Sequence, residues 1–352
     1  MKRKNFTIDN TLDFSTLDLS AKSNVLNRYL NTIFQGDICN SILTLDVFHQ
    51  DDSQSISLLY DYMMITDAVI SHIEKEPDKF LLVDNLDSLD EFKNNVTSII
   101  LSYTNPAFLS SRPEIIRQMY RLGFRALTLK NNSEVGENNA VVINEEIISE
   151  ANRLNMIINC SGFDHGLFDL SINSNLILSN IGCYSICPNP RNISDNSLEK
   201  VKERNNLISL SLDDFFLSKK YFGEVTKLRE IAEWEIKYLE VEYTFDSPEL
   251  ELKKQEIYEK LKNNIMEMQS VDISFNYLLD HISHINKLIG TDNIHLASGL
   301  GEIIADNHTK YNNLDEIIDI LIQKLLSAGF SSDDIENMLT GNMIKFITRN
   351  KH

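Results

Sequence analysis

Positive charge is scarce in this chain: Lys and Arg number 33 against 52 Asp and Glu, a formal net charge of -19 at pH 7 over 352 residues. A phosphate backbone or an anionic membrane is held by clustered Lys and Arg, so this balance argues against nucleic acid and against membrane surfaces as partners. Long hydrophobic runs are missing as well. The apolar stretches fall far short of the roughly 20 residues that cross a bilayer. The opening MKRKNFTIDN has basic residues but no apolar segment behind them, so a cytoplasmic protein is expected. The four cysteines, Cys39, Cys160, Cys183 and Cys187, show no CxxC pair and read as buried reduced thiols rather than a disulfide or metal set. No Gly-rich phosphate loop, Walker pattern or G-x-S-x-G elbow occurs, and no internal repeat or low-complexity segment.

What is present is an ordinary globular composition, 42% hydrophobic and 24% charged, with ample apolar material for a large core. Strand and helix signals alternate. Strands are predicted over Phe6–Asp9, Ser41–Phe48, Thr97–Tyr103, Phe124–Leu129, Met156–Cys160, Leu176–Leu178, Leu207–Leu212 and Ile294–Ala297. Between them lie helical patterns: a helix-prone Ser23–Ile33, then Ile56–Lys75, a short Leu86–Asn94, Arg112–Leu122 opened by Pro113 and closed by Gly123, Asn144–Asn155, Ser197–Asn205 and Asp272–Ile289. Asn313–Ala328 and Ser332–Leu339 close the chain, the latter capped by Ser331 or Ser332 with Asp333 and Asp334 behind. From Glu224 to Gln269 a Glu-, Lys- and Leu-rich segment broken near Asp246-Ser247-Pro248 reads as an inserted helical hairpin. The stretch Leu176–Asp195, LILSNIGCYSICPNPRNISD, runs from strand through a polar turn to a helix start with Ser194 or Asp195 as its cap. Polar residues thus gather at the carboxyl end of a strand, the rim where parallel barrels build their sites.

Several landmarks occur in one order along the chain: Ile8-Asp9-Asn10-Thr11-Leu12-Asp13, Tyr120-Arg121-Leu122-Gly123-Phe124-Arg125-Ala126-Leu127-Thr128-Leu129, Leu154 to Asn159, Ser179-Asn180-Ile181 followed by Arg191-Asn192, His281-Ile282-Ser283-His284-Ile285, and Gly329-Phe330-Ser331 through Gly341-Asn342. In this order they resemble the membrane dipeptidase (renal dipeptidase) family. The resemblance implies a single TIM-type (β/α)8 barrel over 1–352, with a helical insertion after strand seven at about 216–271. It also implies dipeptide hydrolysis at a pair of zinc ions, and a homodimer.

The rim departs from that family. Its first-strand histidine falls on Thr11, its bridging glutamate on Tyr103 or Thr104, its later histidines on Asn131, Gly162 and Asn180, and its last aspartate on Gly299. Only Asp13 survives among the metal ligands, and zinc sites use at least three protein ligands. The expectation is therefore no zinc and no catalytic residue. Arg191, whose family counterpart holds the substrate carboxylate, remains. The candidate ligand-binding set is Arg191, Asp13, Asn131, Asn180 and Tyr103.

Two readings stay open. One is an inactive dipeptidase-like barrel that binds a peptide, a small carboxylate or a protein partner, as a homodimer or as a heteromer with an active paralogue. The other is an enzyme, with a metal site rebuilt around His165, Asp164 and Asp169 or with metal-free chemistry by Tyr103, Lys130 and Asp13. His281 and His284, though spaced like ligands, fall on an outer helix, where packing and local hydrogen bonds suffice for them. His49 and Asp51 read as loop residues.

Overall fold

The computed structural model describes residues 6–13, 41–48, 56–86, 96–104, 112–130, 145–243, 247–268, 274–298 and 314–349. Nine strands are seen among the described residues: β1 (Phe6–Asp13), β2 (Ser41–Phe48), β3 (Phe80–Leu82), β4 (Thr97–Thr104), β5 (Phe124–Lys130), β6 (Ile157–Ser161), β7 (Leu176–Ile181), β8 (Leu207–Ser211) and β9 (Ile294–Ser298). All pair in parallel, in the order β2-β1-β9-β8-β7-β6-β5-β4-β3, and β2 also pairs with β4. Eight strands therefore close a ring. β3 is the ninth, a three-residue strand beside the first residues of β4, before β5 joins that strand at Leu101. It is too short to announce itself by alternation.

The helices are α1 (Ile56–Lys75), α2 (Pro113–Arg121), α3 (Glu145–Arg153), α4 (His165–Ser171), α5 (Asp195–Glu203), α6 (Asp214–Leu217), α7 (Lys219–Glu242), α8 (Pro248–Met268), α9 (Phe275–Ile289), α10 (Leu314–Ser327), α11 (Ser332–Glu336) and α12 (Asn342–Thr348), with a π-helical turn over Asn337–Gly341 before the last. Ser194 caps α5, its side chain accepting from Ser197 N, and Ser331 forms a capping box with Asp334. The expected insertion is the pair α7 and α8, tied across by Lys260–Glu235 at 3.2 Å and Lys254–Glu240 at 3.0 Å. The predicted helix over Ser23–Ile33 lies outside the described residues, as does all of the one over Leu86–Asn94 beyond Leu86.

Side chains alternate along each strand, and the two faces differ. Leu101, Leu127, Ile158, Leu178, Leu210 and Leu296 belong to one apolar layer with Ile116 of α2, Leu198 of α5 and Ile285 of α9. On the opposite face, near the amino ends of the strands, Ile100, Ala126, Ile157, Ile177 and Leu207 pack on Met343, Phe346 and Ile347 of α12. The carboxyl-terminal helix thus floors the barrel. One step further along that inner face stand Ser102, Thr128, Asn159, Ser179 and Ser209, all buried. Ser102 and Thr128 share a hydroxyl bond of 2.8 Å, and Ser209 lies 2.8 Å from His295 Nδ1. The interior therefore runs from apolar at the amino end to polar at the carboxyl end, which makes the carboxyl rim the mouth for a polar ligand.

The terminal Gly341-Asn342 fixes this floor. A Cβ at 341 would stand 2.5 Å from Asn337 Oδ1, and Asn342 Nδ2 donates to the carbonyls of Thr291 and Ile294, each at 2.8 Å.

Candidate functional site

The loops that follow β6, β7 and β8 converge on Arg191. β7 runs on past Leu178 to Ile181, with Asn180 in the left-handed region at φ 51°, where pairing with β8 jumps from Leu178 to Ile181. Asn tolerates that conformation better than most residues. The next turn is pinned by Asn192, which accepts from Gly182 N at 2.6 Å and donates to the carbonyls of Cys187 (3.0 Å) and Phe216 (2.8 Å). Asn189 accepts from Arg191 N at 2.9 Å and donates to Phe215 O at 3.1 Å. These carboxamides tie the β7 loop to the β8 loop and hold Arg191 between them.

His281 secures the same loop from the outer side. Cys183 N donates to its Nδ1 at 2.7 Å, and Nε2 faces Leu217 O at 3.1 Å, so the ring is neutral with its proton on Nε2. Burial pushes its pKa down to about 4. Gly182 has no room for a side chain here, since a Cβ would lie 2.6 Å from Phe216 O and 2.8 Å from His281 Cε1. His284 pairs with Asp195 at 2.9 Å and also meets the Ser185 hydroxyl at 2.9 Å. One ring nitrogen faces both partners, which is a surface cluster and not a proton relay. Both histidines are structural.

Arg191 reaches back over β6. Its Nη2 donates to Ser161 O at 3.3 Å, and its guanidinium carbon lies 5.4 Å from the centre of the Phe216 ring. Gly162, at φ +76°, lies beneath it. On the other side opens a pocket of about 190 Å³ whose polar lining is Arg191, Asp213, Tyr221 and Arg229. Phe215, Phe216, Val225 and Ile265 form its apolar walls. Asp213 follows β8 and accepts from Phe215 N at 2.8 Å. Burial raises its carboxyl pKa, opposed by that N–H and by the fields of Arg229 and Arg191. The Tyr221 phenol is pushed up to about 12, mainly by burial. This arrangement can receive an anion with an apolar body and offers it guanidinium donors.

The sequence-predicted residues divide. Asn180 is at the rim, donating to Ser161 Oγ at 3.1 Å. Asp13 is the last residue of β1, in register with Phe48; its side chain lies outside the described set, as do Asn131, Gly299, His49, Asp51 and the side chain of Lys130. Tyr103 is a correction. It pairs with Leu127 in register, belongs to the helix-facing layer, and packs edge-on to Phe124 at 5.8 Å, 2% exposed. Ser102, and not Tyr103, points to the interior. The displaced candidates also separate: Asp164 caps α4 through Leu167 N at 2.8 Å, His165 is exposed against Phe163, and Asp169 faces Lys200 at 3.5 Å. Cys160, Cys183 and Cys187 are buried free thiols.

Among the described residues no group of three or more His, Cys, Asp or Glu side chains is placed to hold a metal ion. At the implied ligand positions with described side chains stand a phenol facing the helices, a glycine under a guanidinium, and a carboxamide donating to a serine. None of the three is a usual zinc ligand; Thr104, the other position on which the bridging glutamate falls, has its side chain outside the described set.

Asp213 and Arg229 were not singled out from the sequence. Arg229 does have a signal: it is the one arginine between Arg204 and Arg349.

The profile of a family described as membrane dipeptidase (peptidase family M19) matches residues 39–351. An uncharacterized dipeptidase of Schizosaccharomyces pombe is 27% identical over 158 residues, 40% of this chain and 38% of that protein. The Aspergillus oryzae dipeptidase aclJ is 22% identical over 258 residues, 68% of this chain and 48% of its own length. The matches thus span less than half of these curated relatives. Among solved structures, the probable dipeptidase PvdM of Pseudomonas aeruginosa superposes with a TM-score of 0.69 at 14% identity, covering 98% of this chain and 94% of that one. A metallopeptidase of Rhodobacter sphaeroides, solved with a phosphinate mimic of the dipeptide L-Ala-D-Ala, gives 0.63 at 12% identity over 99% and 100% of the two chains. No helix among the described residues is long and apolar enough to cross a membrane.

Proposed function

The chain belongs to the membrane dipeptidase family, and we propose that its mouth has become a binding site: a dipeptidase-like barrel that takes a peptide-like carboxylate through Arg191 and hydrolyses nothing. One observation carries this reading. The space into which a side chain at position 162 would grow, where the family's metal-binding histidine falls, is filled by the Arg191 guanidinium. A site that had merely lost its histidine would leave that space to solvent; here a guanidinium occupies it. The phosphinate dipeptide mimic on the Rhodobacter sphaeroides neighbour supports a peptide-like ligand.

Zinc has no part in this proposal, and the buried free thiols accord with a reducing, cytoplasmic setting. The expected assembly is a homodimer, which mass photometry of the purified chain checks.

The deciding experiment is metal analysis of the purified protein together with hydrolysis of L-Ala-D-Ala, with and without added zinc. Well under one equivalent of zinc and no hydrolysis are expected. One or two equivalents bound reproducibly and lost on Asp13→Ala, or turnover under either condition, overturn the reading in favour of an enzyme.

A further inference from the structure

The helical insertion contributes a cation to the mouth. Arg229 of α7 makes no ion pair and no hydrogen bond among the described residues; its guanidinium carbon stands 4.9 Å from the Phe215 ring centre. It lines the 190 Å³ pocket together with Arg191. Asp213 feels the fields of both arginines, but one of its oxygens is engaged by the Phe215 N–H. Arg229 thus brings a guanidinium to the pocket beside Arg191 and Asp213, between aromatic walls where water screens its charge less than at an open surface.

We infer that Arg229 is a specificity-determining residue, and that the pocket takes a monocarboxylate with an apolar or aromatic group of about amino-acid size. The carboxylate sits at Arg229 and Arg191, and the apolar group lies against Phe215, Phe216 and Ile265. Charge and size both set this choice. A second negative group on the ligand would face Asp213, and 190 Å³ is below the roughly 300–1,000 Å³ of pockets for drug-sized ligands. The inference rests on the reading that the mouth binds a carboxylate; what it adds is the insertion as the second anchor and the apolar group as the selected feature.

The test is calorimetric titration of the full chain with N-acetylphenylalanine, its neutral primary amide, and N-acetylaspartate. The acid should bind at least about tenfold more tightly than either of the others, the size of one charge-assisted contact. Arg229→Ala should weaken the acid by at least about tenfold and leave the amide unchanged, with Arg229→Lys recovering part of the loss. If Arg229→Ala leaves acid binding intact while Arg191→Ala abolishes it, the inference fails and the carboxylate reading stands. If acid and amide weaken together, Arg229 only shapes the pocket, and the inference fails. If wild-type protein does not distinguish acid from amide, the carboxylate reading itself falls.

Discussion

A side chain on Gly162 would collide with Arg191: an ideal Cβ lies 2.5 Å from Nε and 2.8 Å from Nη2. The backbone there, at φ +76°, is also one that residues with a Cβ rarely adopt. Gly162→Ala should therefore cost about 2 kcal/mol, the sum of a strained backbone and a displaced guanidinium. Denaturant unfolding of Gly162→Ala, Arg191→Ala and the double variant separates the two contributions. The double variant should be about 1 kcal/mol more stable than additivity predicts, because the clash vanishes with the guanidinium while the φ strain stays. Strict additivity would mean the two residues do not meet.

Much of this arrangement is legible in the sequence, for identifiable reasons. Long amphipathic runs such as Ile56–Lys75, and helix boundaries written in Pro113, Gly123 and Ser331, translate into structure because spacing and caps are local properties. The position of Arg191 follows from the motif around it. Three features were hidden. β3 is three residues long. The direction of Tyr103 depends on the register of β4 against β5, where the pairing shifts between Leu101 and Ser102. The pocket joins Arg191 to Arg229 and Asp213 across a long interval of sequence, and no local pattern brings the insertion over the mouth.

The orientation of Tyr103 alters what a restored metal site would require. With the ring packed on Phe124 in the helix-facing layer, Tyr103→Glu would bury a carboxylate among apolar side chains. A loss of about 3 kcal/mol or more is expected, with no zinc bound in return. Tyr103→Phe should stay within about 0.5 kcal/mol of wild type. The combined replacement Thr11→His, Tyr103→Glu, Gly162→His, Asn180→His and Gly299→Asp therefore should not recover zinc, because position 103 faces the helices and the Arg191 guanidinium stands where a side chain at 162 would grow. Equilibrium unfolding and zinc titration check both statements. A stable Tyr103→Glu variant would turn that side chain toward the mouth.

His281 should give the fold a distinct acid sensitivity. Its folded pKa, about 4, lies below its ordinary value of 6.5 because burial disfavours the charged ring. The unfolded chain therefore binds the extra proton first. The stability tied to the neutral ring is complete above about pH 6.5 and is lost as pH falls from there toward 4, by at most about 3 kcal/mol. His281→Gln should be less stable at pH 7, because the bonds to Cys183 N and Leu217 O are disturbed, yet its stability should fall less steeply between pH 6.5 and 4. Chemical denaturation across that range compares the slopes. Parallel slopes would show that His281 does not carry the effect.

Arg191 is asked to do two things at once, and its variants should reveal both. The guanidinium donates to Ser161 O and lies over Phe216, so it helps to hold the β6 and β7 loops against the β8 loop. It also lines the pocket. These contacts predict that its replacement costs both stability and ligand affinity. Arg191→Ala should lower stability by about 1 kcal/mol, the usual net worth of one hydrogen bond. It should also weaken N-acetylphenylalanine about ten- to a hundredfold, as the loss of a charge-assisted contact does. Arg191→Lys separates the roles: it keeps the charge but cannot present a planar fork to a carboxylate, so most of the affinity loss should remain. Thermal unfolding and calorimetry on the same samples read the two effects. Lower stability with ligand affinity unchanged would leave Arg191 to the scaffold alone.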